Sequence, residues 1–135
     1  MRLQVAYPTS EKENAKKVEV ALSSLGYEVI EVKEKPLYPE EVILAIFSSK
    51  TEEKDFLRDL PWLEKQKEYS SIHYLHVMPF FVYSSKEEDP EKAFEGKVGE
   101  LYEDVFSGEF KPFGWDFASK DPAQEFARVL EDYQE

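Results

Sequence analysis

The first 32 residues spell out one strand, turn, helix and strand, and that order restricts the fold more than any other feature. Leu3-Gln-Val-Ala-Tyr7 is a short apolar run, and Pro8-Thr9-Ser10 is a polar turn. From Glu11 to Leu25, Ala15, Val18, Leu22 and Leu25 recur at helical spacing and form one apolar stripe. Ser10 and Glu13 have the spacing of a capping box. Gly26 stands where a left-handed residue ends a helix. Tyr27–Val32 then alternates apolar and acidic residues, the pattern of a half-buried strand near a sheet edge. About thirty residues is the length of one parallel crossover unit. Such units place ligand and partner sites at the carboxyl ends of their strands.

The rest of the chain continues the alternation. Val42-Ile-Leu-Ala-Ile-Phe47 is continuously apolar, as a central strand covered on both faces must be. Thr51–Tyr69 reads as helical, with Ser49 and Glu52 spaced as a second capping box. Pro61 predicts a break, followed by a short helix over Trp62–Glu68. Ile72–Tyr83 is a long strand signal in which Pro79 predicts a bulge or an end. Asp89-Pro90 and Asp121-Pro122 each read as N-cap and first residue of a helix. The first of these helices buries Phe94, Val98, Leu101, Tyr102 and Val105; the second buries Ala123, Phe126, Ala127 and Leu130. Between them, Phe110–Phe117 reads as an irregular strand or a packed loop. The expectation is one α/β domain over residues 1–135, three layers deep. It has a mostly parallel sheet of about five strands with helices on both faces.

Composition narrows the function classes. With 41% apolar and 15% aromatic residues the chain can fill a core. It has no cysteine, which removes disulfides, thiol nucleophiles and thiolate metal sites. No apolar run approaches the roughly 20 residues that span a bilayer, so a membrane partner is not expected and a cytoplasmic setting is. Of the net charge of −12, −10 falls on residues 87–135, which hold 15 acidic and 5 basic residues. Such a surface disfavours nucleic acid, whose phosphates need Lys and Arg, and suits a basic partner or simple solubility.

Several constellations can be weighed. His73 and His76 have a metal-like spacing, but residues three apart on a strand point to opposite faces, so they cannot share an ion. The turn after the first strand lies where phosphate loops lie, yet it has no glycine and is followed by Glu11 and Glu13, which argues against flavin or nucleotide phosphates. Pro8-Thr9 and Ser48-Ser49 stand where a phosphoacceptor receiver would carry acids. Among Glu52, Glu53, Asp55, Asp59 and Glu64, Glu64 is distinguished by Trp62 just beyond the Pro61 break. It reads either as a surface carboxylate near Lys67 or as a carboxyl tuned by an apolar wall for acid/base or cation-stabilising work. Phe106, Phe110, Phe113, Trp115 and Phe117 read as core under a long loop.

Over most of its length the chain resembles the Toll/interleukin-1 receptor (TIR) domain in its bacterial form. Leu3–Tyr7 with Ser10-Glu11 and Ala15 is similar to that family's first box. Leu22–Val29 is similar to its helix end and second strand, and Val42–Ser48 to its third strand. Pro79-Phe80-Phe81-Val82-Tyr83 resembles its fourth strand, and Phe113-Gly114-Trp115 its late aromatic box. The resemblance implies a flavodoxin-like or TIR-like domain acting through protein partners or self-association in signalling or defence. It also implies an alternative, since some members cleave NAD with a Glu in the helix after the third strand. By position Trp62-Leu63-Glu64 is the match to that helix, which makes Glu64 the catalytic candidate. Tyr7, Thr9, Ser10, Ser48 and Trp62 would then line the NAD pocket, with NAD as substrate and no resident cofactor. A third expectation is an acidic inhibitor of a basic protein. The three readings differ in what they require: a cleft, an exposed apolar patch, or a contiguous acidic face.

Overall fold

The computed structural model describes residues 2–32, 42–63, 76–101 and 112–134. Five strands form one sheet: β1 (Arg2–Ala6), β2 (Glu28–Glu31), β3 (Val42–Phe47), β4 (His76–Tyr83) and β5 (Phe113–Asp116). Their order is β2-β1-β3-β4-β5, and each neighbouring pair is parallel. The apolar run Val42–Phe47 is the middle strand, and the alternating Glu28–Glu31 is an edge, as its half-exposed residues require.

The period-2 alternation of the strands divides the core into two layers. Leu3, Val5, Leu44, Ile46, Met78, Phe80, Val82 and Trp115 face one side, where they meet α1 (Lys12–Ser24) and α4 (Pro122–Gln134). Ala6, Ile43, Ala45, Phe47, Val77 and Phe81 face the other, against α2 (Glu53–Asp59) and α3 (Pro90–Leu101). Helices therefore cover both faces. The sheet has the three-layer form expected of alternating strands and helices.

Capping agrees with the sequence at two proline-led helices. Asp89 Oδ1 accepts the Glu91 amide at 3.2 Å, and Asp121 Oδ1 accepts the Gln124 amide at 3.1 Å. Gly26 has φ +96°, a left-handed conformation that an L side chain adopts only under strain.

Elsewhere the structure departs from expectation. No capping box forms at Ser10. Thr9–Glu11 make a 3-10 turn, α1 starts at Lys12, and Ser10 is exposed. The cause is Glu11, whose side chain turns inward instead of leaving the turn open for a serine cap. The second box is also displaced, with Glu52 as N-cap and Asp55 as its partner; the Glu52 amide donates to Asp55 Oδ2 at 3.0 Å. Leu25 leaves the apolar stripe and is 37% exposed, because it caps α1.

Pro79 marks neither a bulge nor an end. It pairs with Ala45 in an unbroken β3–β4 register from His76 to Phe81. The β4–β5 ladder begins one residue later, at Phe80 opposite Phe113, so the missing amide falls beside the start of that ladder. Pro61 does break the helix, as expected, and Pro61–Leu63 is a 3-10 turn. His73, Tyr102, Val105, Phe106, Phe110 and the continuation through Glu64 to Tyr69 lie outside the described residues. Phe113 and Trp115 belong to the core and Phe117 packs against it, and Phe113–Trp115 lie on the strand β5.

Candidate functional site

The strands are all parallel, but the order in which they are added reverses between β1 and β3, and ligands of such folds sit at the carboxyl edge near that switch point. At that edge the chain leaves β1 as Tyr7-Pro8-Thr9-Ser10-Glu11 and leaves β3 as Ser48. Glu11 is only 4% exposed, although it is ionisable. One carboxylate oxygen accepts the Ser48 hydroxyl at 2.6 Å and the Thr51 hydroxyl at 2.8 Å; the other accepts the Asn14 amide at 2.9 Å. Burial of such a group is tolerable because three donors serve its two oxygens. The Ser48 amide in turn donates to Thr51 Oγ1 at 2.9 Å. The switch point is thus filled by a side chain of the protein itself.

Beside it, on the β2 side of β1, a cleft of about 370 Å³ opens at the strand ends. Tyr7, Lys12, Glu31, Arg58, Asp59 and Leu60 contribute to its walls, together with Thr9 and Val32. The Tyr7 hydroxyl donates to Glu31 Oε1 at 2.6 Å. Burial, and then this bond to an acid, push the phenol well above its usual range, so it stays a donor at neutral pH. Lys16 approaches the other Glu31 oxygen at 3.6 Å.

Across the cleft, the Thr9 amide donates to Asp59 Oδ2 at 2.9 Å. Arg58 grips Asp59 with two bonds, Nε to Oδ1 at 3.0 Å and Nη2 to Oδ2 at 3.1 Å. Those guanidinium bonds, then the Thr9 amide, hold the Asp59 carboxyl down at about 2. The β1–α1 loop is in this way tied to the end of α2 by a carboxylate that stays charged. The cleft offers a fixed hydroxyl, two cations and two acids, which suits a polar ligand carrying both charge and hydroxyls.

At the opposite end of the same edge a second cleft, of about 390 Å³, opens between Tyr83, Phe94, Pro112 and Gly114. Asp116 Oδ1 accepts the amides of Ser85 at 3.1 Å and Ala118 at 2.8 Å, and the Phe117 amide donates to the Tyr83 carbonyl at 2.8 Å. Burial works against the Asp116 charge, but these bonds hold its carboxyl below the usual range. Among the described residues no group of three or more His, Cys, Asp or Glu is placed to hold a metal ion. No described helix is long and apolar enough to cross a membrane.

Of the residues singled out in the sequence, Tyr7 and Thr9 line the cleft. Ser10 is exposed and is not among the cleft's lining residues. Ser48 is buried on Glu11 rather than open to a ligand, because its hydroxyl is needed to satisfy that carboxylate. Trp62 is 7% exposed and packs in the α2–α3 layer. Glu64 lies outside the described residues. Lys12, Glu31 and Arg58 look in the sequence like ordinary helix and edge-strand charges, and Asp59, weighed there among the carboxylates after the third strand, was set behind Glu64. Glu11 stands in the sequence only as an acid that disfavours a phosphate in the turn, not as a buried residue. A signal for Glu11 existed: with Ala15, Val18 and Leu22 it falls on the inward stripe, at spacings of four, seven and eleven.

No family model matches the chain, and no curated protein matches it in sequence. Among solved structures it is similar to oxidised flavodoxin 1 from Bacillus cereus, at 13% identity and a TM-score of 0.50. That match covers 96% of this chain and 97% of the flavodoxin. It shows a flavodoxin-like α/β fold. In flavodoxins, which share this strand order, a flavin mononucleotide sits at the β1/β3 switch point. The residues here do not fit one. The carboxylate of Glu11 stands at that point, and the loop amides of Thr9 and Glu11 are already given to Asp59 and to the Pro8 carbonyl. A phosphate dianion would meet a buried anion with its donors taken.

Proposed function

We propose that this chain is a TIR-like domain of signalling or defence that works on a small polar ligand, NAD, in the cleft beside Tyr7. The observation that carries the reading is that cleft: it opens at the strand ends and is bounded by Asp59 and Leu60, just before the Pro61 break. A protein-association role through an apolar patch has less support, since Val20 and Leu25 are the only exposed large hydrophobics among the described residues. The purely acidic inhibitor has less support too, because in the acidic C-terminal part Asp89, Asp116 and Asp121 accept backbone amides, Glu125 accepts the Ser119 hydroxyl and Glu100 pairs with Lys97.

In the NAD reading the bond between ribose C1′ and the nicotinamide nitrogen breaks, and its electron pair leaves with nicotinamide. A carboxylate stabilises the ribose cation, and water then adds to C1′ while its proton passes to solvent. The Glu64 carboxylate, two residues beyond Trp62, is the proposed stabiliser. Tyr7 and Thr9 are proposed to position the sugar, with Lys12 and Arg58 facing the pyrophosphate.

Purified protein incubated with NAD at high protein concentration should release nicotinamide, and Glu64→Ala should abolish that release while keeping the unfolding midpoint. Release that survives in Glu64→Ala would remove Glu64 from the reaction. Absence of release in the wild type would overturn the enzyme and return the domain to partner binding.

A further inference from the structure

We propose that the Glu11 carboxylate is a built-in replacement for the phosphate that folds of this strand order seat at the β1/β3 switch point. The seat is the donor set of Ser48, Thr51 and Asn14, and its natural ligand class is a tetrahedral oxyanion. Three features carry the inference. The position is the one where the crossover geometry converges on a ligand. The donors are of the kind an oxyanion accepts from, two hydroxyls and a side-chain amide, all within 2.9 Å of the carboxylate oxygens. Ser48 and Thr51 are 8% and 0% exposed, so these donors were taken out of water and have Glu11 to satisfy them.

The arrangement also explains the local chain. An inward Glu ends the 3-10 turn that precedes α1 and removes the need for a glycine-rich loop, since no external group has to approach the backbone. A phosphate-bearing cofactor is shut out of the switch point, which leaves ligand access beside β1 to the neighbouring cleft. This holds whether or not the cleft takes NAD.

The experiment compares wild type, Glu11→Ala and Glu11→Gln in chloride and in inorganic phosphate at matched ionic strength, reading the unfolding midpoint. Phosphate salts stabilise folded proteins generally, so the wild-type shift is the baseline. Glu11→Ala should gain a saturable shift above that baseline. At a phosphate concentration 100 times its dissociation constant, the folded-to-unfolded ratio should rise about 100-fold. Glu11→Gln keeps the seat filled and should follow the wild type. Adding Thr51→Val to Glu11→Ala should weaken the response. If Glu11→Ala does not fold in chloride, refolding it in phosphate should restore the native spectrum. The proposal is overturned if Glu11→Ala moves no more than the wild type, or if it stays unfolded at every phosphate concentration.

Discussion

Phe80→Ala should lower the unfolding free energy by about 3–5 kcal/mol, read from chemical denaturation of the variant beside the wild type. Phe80 is fully buried at the middle of the α1–α4 layer. Its ring centroid lies 5.5 Å from Phe113, 5.5 Å from Trp115 and 5.4 Å from Phe126. The Phe126 contact is edge-on, the geometry that the ring quadrupoles favour. Truncation removes the transfer free energy of the ring and leaves a void whose walls belong to β4, β5 and α4. Those walls are held by strand hydrogen bonds and cannot collapse inward, so the cost belongs at the upper end of the range. A loss under about 1 kcal/mol would mean that this layer is not packed as described.

Glu11→Ala, measured in chloride, should cost about 2–4 kcal/mol, because it leaves the buried hydroxyls of Ser48 and Thr51 without their acceptor. The size follows from the asymmetry of buried hydrogen bonds: the net value of a made bond is small, whereas an orphaned buried donor bears its full desolvation cost. The same reasoning predicts non-additivity. Thr51→Val in the Glu11→Ala background should cost less than in the wild type, since one orphan donor is then removed. Strictly additive losses in a double-mutant cycle would show that the two groups do not share a network.

The fold was legible where local and global signals agreed. The continuous run Val42–Phe47 fitted a doubly covered strand best, and the acidic alternation of Tyr27–Val32 pointed to a half-buried strand near an edge. Asp-Pro pairs marked two helix starts because the aspartate cap and the proline ring act within one turn. Pro79 was misread because its tolerance depends on the neighbouring strand: the β4–β5 ladder starts only at Phe80, which the sequence of β4 cannot reveal.

The site was less legible for a related reason. Glu11 meets Ser48 and Thr51 from 37 and 40 positions away, and Thr9 meets Asp59 from 50. Each residue looks unremarkable in its own segment, and only the crossover brings them together. The polarity of Ser48 at a strand end pointed correctly to the carboxyl edge but to the wrong role, since the hydroxyl turns inward to Glu11. Tyr7 and Thr9 were found because they directly follow β1, where position alone places a residue at the ligand edge.

The central claim is that the working site is the cleft between the ends of β1 and β2 and the end of α2. Its most direct test is the amide NMR spectrum of the wild-type protein titrated with NAD. Saturable shifts should centre on Thr9, Lys12, Val32 and Arg58, with Ser85 and Ala118 at the far end of the edge unmoved. Shifts centred instead on Ser85, Gly114 and Ala118, or no saturable shift at any residue, would contradict it.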